Sequence, residues 1–325
     1  MDVKEARKFE EVSQEMACHA AAMLPEDLIV TAHELGFTAA QHLLLPDGRQ
    51  LALTDRCREQ LAALLGLSKA RWFGWPSPTT AAAEITQRFA VLHGDFRIRA
   101  WKDGSGGTTG IARALLPVAL QPIEDARIFQ RLGQAVASLD DYRFLSIEGS
   151  EAVRQVLVLQ ADGIQQPGMR GMFHPAIALR NSEIGAAAFT LDDCWIRMVH
   201  GSWSLWGGKH SIYAADSWVD DVDLDAALVH AFIGLLARSQ LGLAAIHRAR
   251  QTLIRAPRTT LEDILRSPEI QAPLVEMAWQ VFMRDVDHSR FGLGESIVFT
   301  ARVHQNNSEV RFLMEELAGE YLAAS

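Results

Sequence analysis

Between Asp95 and Lys102 the chain alternates: Phe96, Ile98 and Ala100 are apolar, and Arg97, Arg99 and Trp101 fall between them. A period of two marks a strand with one buried face, and its register is strongly specified, because a slip of one residue would drive both arginines into the core. The run Asp103-Gly104-Ser105-Gly106-Gly107 then supplies residues that tolerate positive φ. The spacing predicts a β-hairpin whose return strand is Gly110 to Val118. With 325 residues, 49% hydrophobic and 22% charged, the chain can bury about three quarters of its unfolded surface, which excludes disorder as its main state.

On the N-terminal side the pattern reads as helical to about residue 70. Thr54 is placed to cap a helix carrying Cys57, Leu61, Leu64 and Leu65, with Gly66 where a C-terminal cap is wanted. Trp72-Phe73-Gly74-Trp75-Pro76-Ser77-Pro78 breaks the helical pattern and sets a soft boundary. Past the hairpin, a helix is expected from Ile123 to Leu139, and strands at Gln155 to Gln160, Phe173 to Arg180 and Ala186 to Leu191. After Asp220 the pattern is helical to the end: Leu224, Leu228, Phe232, Leu235 and Leu236 form one stripe, and Gly242 is a candidate break. Pro257 stops a second helix, Thr259-Thr260-Leu261-Glu262 has capping-box spacing, and helices follow at Ala272 to Val286 and Ser308 to Leu322. The fold class is α+β: a central antiparallel sheet with a basic hairpin, divided as a helical N-terminal region (1–75), a mixed core (85–219) and a helical C-terminal region packed on it (220–325).

A formal charge of −9 excludes general attraction to phosphate or anionic membranes, so any nucleic-acid site must be a local basic patch. Cys18, Cys57 and Cys194 match neither a zinc ribbon nor a redox pair and read as belonging to a reducing, cytoplasmic compartment. The N-terminus lacks the basic lead-in of a signal peptide, and the longest apolar helix candidate, Ala226 to Ala237, is far short of the roughly 20 residues needed to cross a bilayer. No membrane partner is expected.

The familiar chemical motifs fail one by one. Gly104 to Gly110 is followed by Ile111, where a phosphate-binding loop needs Lys-Ser/Thr, and Thr109 stands where a dinucleotide fingerprint needs its third glycine. Asp220, Asp221, Asp223 and Asp225 resemble a calcium loop only until Ala226 and Phe232 occupy its glycine and glutamate positions; acidic residues at a helix start explain them better. His174, His200 and His210, with Asp192 or Asp193, lack metal-ligand spacing, and Ser202 beside His200 is not in a nucleophile elbow. No catalytic residue, metal or cofactor is therefore assigned.

Two stretches carry binding chemistry. Arg97, Arg99 and Trp101 project to one side of their strand, the arrangement in which guanidinium groups pair phosphates and an indole stacks a base, set against the bland alternative of a face covered by a helix. Residues 88 to 113 hold Arg88, Arg97, Arg99, Lys102 and Arg113 against only Asp95 and Asp103. The second stretch holds Arg238, Arg248, Arg250, Arg255 and Arg258, with no acidic residue between Asp225 and Glu262. A solvated helix face pairing with acids elsewhere is its alternative reading. Trp195, Trp203, Trp206 and Trp218 cluster with Tyr213 among glycines, as core or as a binding loop.

At Arg180-Asn181-Ser182-Glu183-Ile184-Gly185, followed by Arg197-Met198-Val199, the sequence resembles the phage- and plasmid-related domain of unknown function 932 family. Ile111 to Leu116, Gln121-Pro122-Ile123-Glu124-Asp125 and Glu315 to Gly319 look like further segments of that family, so the likeness runs over about residues 85–323. Where the family is expected to carry Cys-x-Asn-Gly, this chain has His200-Gly201-Ser202-Trp203, and no role tied to that cysteine or asparagine carries over. The resemblance implies a gene of phages, plasmids or integrated elements and no assigned reaction. It marks Asn181, Ser182, Glu183 and Gly185 as a structural turn.

The leading expectation is a non-enzymatic protein that binds single-stranded DNA as a homo-oligomer, in annealing or recombination, by fold-level analogy. Its contacts would be Arg97, Arg99, Trp101, Lys102, Arg113, Arg180, Arg197, Arg248 and Arg250. The alternatives are a metal-dependent enzyme of nucleic-acid or nucleotide metabolism using His174, Glu183, His200 or Asp193, and a protein-interaction or defence-modulating factor with no nucleic-acid site.

Overall fold

The computed structural model describes residue 12 and residues 25–68, 77–102, 109–137, 139, 141–150, 152–166, 169, 171–199, 202–215, 220–285 and 287–323. Two sheets and nine α-helices form an α+β fold among them. The segments 103–108, 69–76 and 216–219, with Cys18, His200, Gly201 and Trp218, lie outside the described residues.

The first sheet is built around the hairpin. β5 (Asp95–Lys102) and β6 (Thr109–Pro117) pair antiparallel; β1 (Pro25–Thr31) pairs along the outer edge of β5, and β4 (Gln50–Leu53) runs parallel to β6, followed outward by β3 (His42–Leu44) and β2 (Gly36–Phe37). The expected helical reading of residues 25–53 is thus corrected: β2 to β4, of two to four residues, are too short to show a period of two, and β1 carries the unbroken apolar run Leu28-Ile29-Val30. The sheet also straddles the soft boundary at residues 72–78. Helix α1 (Asp55–Leu64) begins as expected, with the Thr54 hydroxyl accepting from the Cys57 amide at 3.3 Å. Helix α2 (Pro78–Val91) is capped by Ser77. Cys57 and Leu61 of α1, with Ile85 and Phe89 of α2, pack on Leu43, Leu51, Ile98, Ala100 and Ala112 to make this sheet's core.

Helix α3 (Asp125–Ala137) leads into the second sheet, in the order β12 (Ser202–Ala215), β11 (Phe189–Val199), β10 (Met172–Asn181), β8 (Arg154–Gln160) and β7 (Tyr142–Gly149), with β9 (Ile164–Gln165) on the start of β10. All its pairings are antiparallel. Side-chain alternation splits the sheet cleanly. Phe144, Val156, Val158, Ile177 and Leu179 join Ile128, Phe129 and Leu132 of α3, and Leu157, Leu159, Ala176, Ala178, Cys194 and Ile196 form a cluster on the other face.

Helix α4 (Asp221–Phe232) adds Leu224, Leu228 and Phe232 to the first of these clusters. Asp220 caps it, its carboxylate accepting from the Asp223 amide at 2.8 Å, so the acidic run is a helix start as read. The break before α5 (Leu235–Gln251) falls at Gly234, with φ +75°, and not at Gly242. Gly242 lies inside α5 because a Cβ there would come within 2.7 Å of the Trp195 indole nitrogen. Pro257 opens α6 (Pro257–Ile264) as its first residue, so the expected cap at Thr259 moves to Ala256. Helices α7 (Ala272–Arg284), α8 (Arg290–His304) and α9 (Ser308–Ala323) complete a helical core that takes in Phe173, Trp195 and Trp206. Among the described residues no single helix is long and apolar enough to cross a membrane.

Candidate functional site

The hairpin face forms as the alternation predicts. Ile98 and Ala100 are buried in the first core, and Arg97, Arg99 and Trp101 take the opposite side. What the alternation does not show is the cover. A bulge leaves Arg113 as the extra residue of β6, between Ala112 opposite Ala100 and Ala114 opposite Arg99. Such a bulge re-aims a side chain. Arg113 donates to the Glu183 carboxylate at 2.8 Å, and its guanidinium carbon lies 4.2 Å from the centre of the Trp101 ring.

Arg99 is only 2% exposed. It donates to the Glu183 carbonyl at 2.9 Å and to Glu124 at 3.0 Å, and its Nε is 3.3 Å from Asp27. Arg97 donates to Asp27 at 3.2 Å and to the Val118 carbonyl at 3.3 Å, and Lys102 pairs with Glu26 at 3.3 Å. The expected phosphate-binding face is therefore a clasp between the two sheets. Its positive charge is already met by carboxylates.

The far side of the clasp is the turn 181–185. Asn181 donates to the Ile123 carbonyl and to the Asp125 carboxylate, both at 2.8 Å; Arg154 faces the second Asp125 oxygen at 2.7 Å. The Asp125 amide donates to Glu183 at 3.0 Å, and the Ser182 hydroxyl donates to the Ala152 carbonyl while accepting from the Ala186 amide at 2.8 Å. Gly185 has φ +66°, a left-handed conformation that favours glycine. Burial, reinforced by the Glu183 charge, pushes the Asp125 carboxyl up to about 6. Burial also raises Glu183, but the hydrogen bond and charge of Arg113 outweigh it and hold that carboxyl below its usual range. Arg113, Glu124, Asp125 and the turn 181–185, far apart in the sequence, thus converge on one place.

The other sequence-assigned cations divide in the same way. Arg180 donates to Glu316 at 3.0 Å, and Arg197 pairs with Glu295 while its guanidinium lies 5.7 Å from the Phe173 ring and 5.6 Å from the Phe291 ring. Arg250 stands 4.0 Å from Asp287, Arg238 clasps Asp193 at 2.6 and 3.1 Å, and Arg258 joins Glu262 to Glu276. Arg248 and Arg255 are exposed. Of the residues of the enzyme alternative, His174 is buried with Nδ1 3.0 Å from the Gln160 carbonyl, Glu183 and Asp193 pair with Arg113 and Arg238, and His200 lies outside the described residues. No group of three or more metal-ligating side chains comes together among the described residues.

A second buried charge cluster was not assigned from the sequence. Glu148, Gln155, Arg180 and Thr190 are register neighbours across β7, β8, β10 and β11. Over this row, α9 brings Arg311 to 2.6 Å from Glu148, and α8 brings Arg302 to Glu148 at 2.9 Å and to Glu315. Glu315 is fully buried; burial first, with the Glu148 charge adding, pushes its carboxyl up to about 7 against the pull of Arg302. Its signal in the sequence is a carboxylate on the apolar stripe Phe312, Glu315, Gly319, Leu322.

The described surface also carries an apolar feature. Val222 (77% exposed), Val229 and Ile233 (66%) recur along the outer side of α4, with exposed Ala226 between them, and Leu241 (76%) continues the series on α5 beside exposed Ala237 and Ala244. The inner side of α4 is equally apolar, with Leu224, Ala227, Leu228, Ala231 and Phe232 buried. Between these two apolar sides α4 carries Asp221, Asp223, Asp225 and His230.

No protein-family model matches the chain, and no curated protein or solved structure is significantly similar to it.

Proposed function

We propose that the protein works through protein–protein contact, as a non-catalytic component of an assembly, with the outer side of α4 and α5 as its working surface. One observation carries this reading: Val222, Val229, Ile233 and Leu241 present large apolar side chains to water along α4 and α5, bordered by Asp223, Asp225 and His230, the pattern of an apolar interaction patch with a polar rim. The occupied arginines support it from the other side, since a guanidinium held by an internal carboxylate has little left to offer a phosphate. The setting of a mobile element, expected from the sequence resemblance, is part of this proposal.

The test is a fluorescent single-stranded oligonucleotide titrated with the intact chain at 50 mM salt. The expected result is no salt-dependent binding. Binding whose log K falls by about 0.7 per contacted phosphate for each tenfold rise in salt would contradict the reading.

A second reading, single-stranded nucleic-acid binding, is favoured by one specific observation. Residues 226–261 contain no carboxylate, and Arg248 and Arg255 are exposed within them. Under that reading the contact lies here and not on the hairpin. Arg255→Glu would then abolish salt-dependent binding while Arg97→Ala leaves it unchanged.

A further inference from the structure

We infer that the partner on this surface is a second copy of the chain, packed about a two-fold axis with the two α4–α5 pairs running in opposite directions. The inference rests on the protein-contact reading above and names its partner. The helix pair is polarised along its length: Asp220 and Asp223 stand exposed at its start, Arg255 just past its end, and the exposed apolar side chains lie between. A two-fold interface brings one patch against itself, and opposite directions lay the acidic start of each copy over the basic end of the other. Parallel packing would instead set like charges together at both ends, which costs specificity and affinity.

The centre of such a contact falls near Ile233 and Leu241, on either side of the Gly234 break. Both side chains are large, uncharged and outside the two cores, so they can enter an interface without disturbing the fold. Other occupants fit less well. An anionic membrane would meet Asp220, Asp221, Asp223 and Asp225 at the start of the same surface, a repulsive arrangement for a bilayer that recruits cations. Single-stranded nucleic acid is held by cations with stacking on aromatic rings, and Val222, Val229, Ile233 and Leu241 supply neither.

The experiment measures the mass of the full chain by sedimentation from 1 to 100 μM, for wild type, for Ile233→Glu with Leu241→Glu, and for a charge series. The inference predicts a wild-type dimer, a double variant whose dimer dissociation constant is raised by about 30-fold or more, and an unchanged far-ultraviolet circular dichroism spectrum, as expected for loss of central apolar anchors. Arg255→Glu should weaken the dimer, and Asp223→Lys added to it should restore part of the affinity by exchanging the two charges. Should the double variant fold poorly, the single exposed change Leu241→Gln carries the same comparison. A wild-type monomer throughout the range overturns the inference and leaves the protein-contact reading to other partners. A dimer unaffected by all these changes overturns it as well. Binding to anionic vesicles that the double variant loses would assign the surface to lipid, and salt-dependent oligonucleotide binding lost in Arg255→Glu would overturn the underlying reading instead.

Discussion

Arg113 and Glu183, 70 positions apart in the chain, meet at 2.8 Å between the two sheets, with the Arg113 side chain 6% and the Glu183 side chain 23% exposed. The pair joins a bulge in the first sheet to a turn leaving β10 of the second. Its energetics follow from burial: separating two such charges leaves one of them desolvated without a partner.

Glu183→Ala should therefore destabilise the protein by about 3–5 kcal/mol, as for other broken buried pairs. It also removes the acceptor of the Asp125 amide. Chemical denaturation read by far-ultraviolet circular dichroism gives the value, and a loss below about 1 kcal/mol would mean the clasp does not hold the sheets.

Gly185→Ala should cost about 1–2 kcal/mol, because φ +66° disfavours any Cβ. The new Cβ would also stand 2.9 Å from Leu120 Cδ2 and 3.1 Å from Leu116 Cδ2. The same substitution at Gly48, which has positive φ but no neighbour within 4 Å, separates the backbone cost from the contact cost in parallel melts.

The contribution of Asp125 and Glu315 to stability should fall as pH rises from about 4 to about 7. Asp125 and Glu315 both have carboxyls raised by burial, to about 6 and about 7. In that window these two groups hold more protons in the folded chain than in the unfolded one, so for them raising pH favours unfolding, whereas His174, lowered by burial from its ordinary 6.5, contributes with the opposite sign below that value. The penalty is absent below the ordinary values of 3.8 and 4.5 and fully present above the raised ones. Glu315→Gln should flatten the upper part of the profile and cost little stability at pH 8. A profile identical to wild type would show that Glu315 keeps its charge throughout.

Local features of the fold are largely legible in the sequence. The alternation of Ile98 and Ala100 with Arg97 and Arg99 predicts the correct faces, and Thr54 and Asp220 cap the helices they precede. What is not legible depends on distant partners. Glu183, which covers Arg99, lies 84 residues away, and no local pattern reveals that pairing. Strands β2 to β4 are too short to display a period and acquire their structure by pairing, β4 with β6, β3 with β4 and β2 with β3. Gly242 and Gly234 look alike in sequence; only the approach of Trp195 to the first and the left-handed backbone of the second distinguish packing from a break. The outward stripe of α4 was hidden for a related reason, since Val222 and Val229 are indistinguishable from core residues until the core is known.

The most direct test of the central claim, that the basic hairpin face is an internal clasp and not a nucleic-acid surface, pairs two measurements on Arg113→Ala: its melting temperature and its affinity for a single-stranded oligonucleotide at 50 mM salt, counted per folded molecule. The account predicts a clear loss of stability, about 3–5 kcal/mol for an unpartnered Glu183, with no change in oligonucleotide binding. Wild-type stability together with a loss of salt-dependent binding would contradict it.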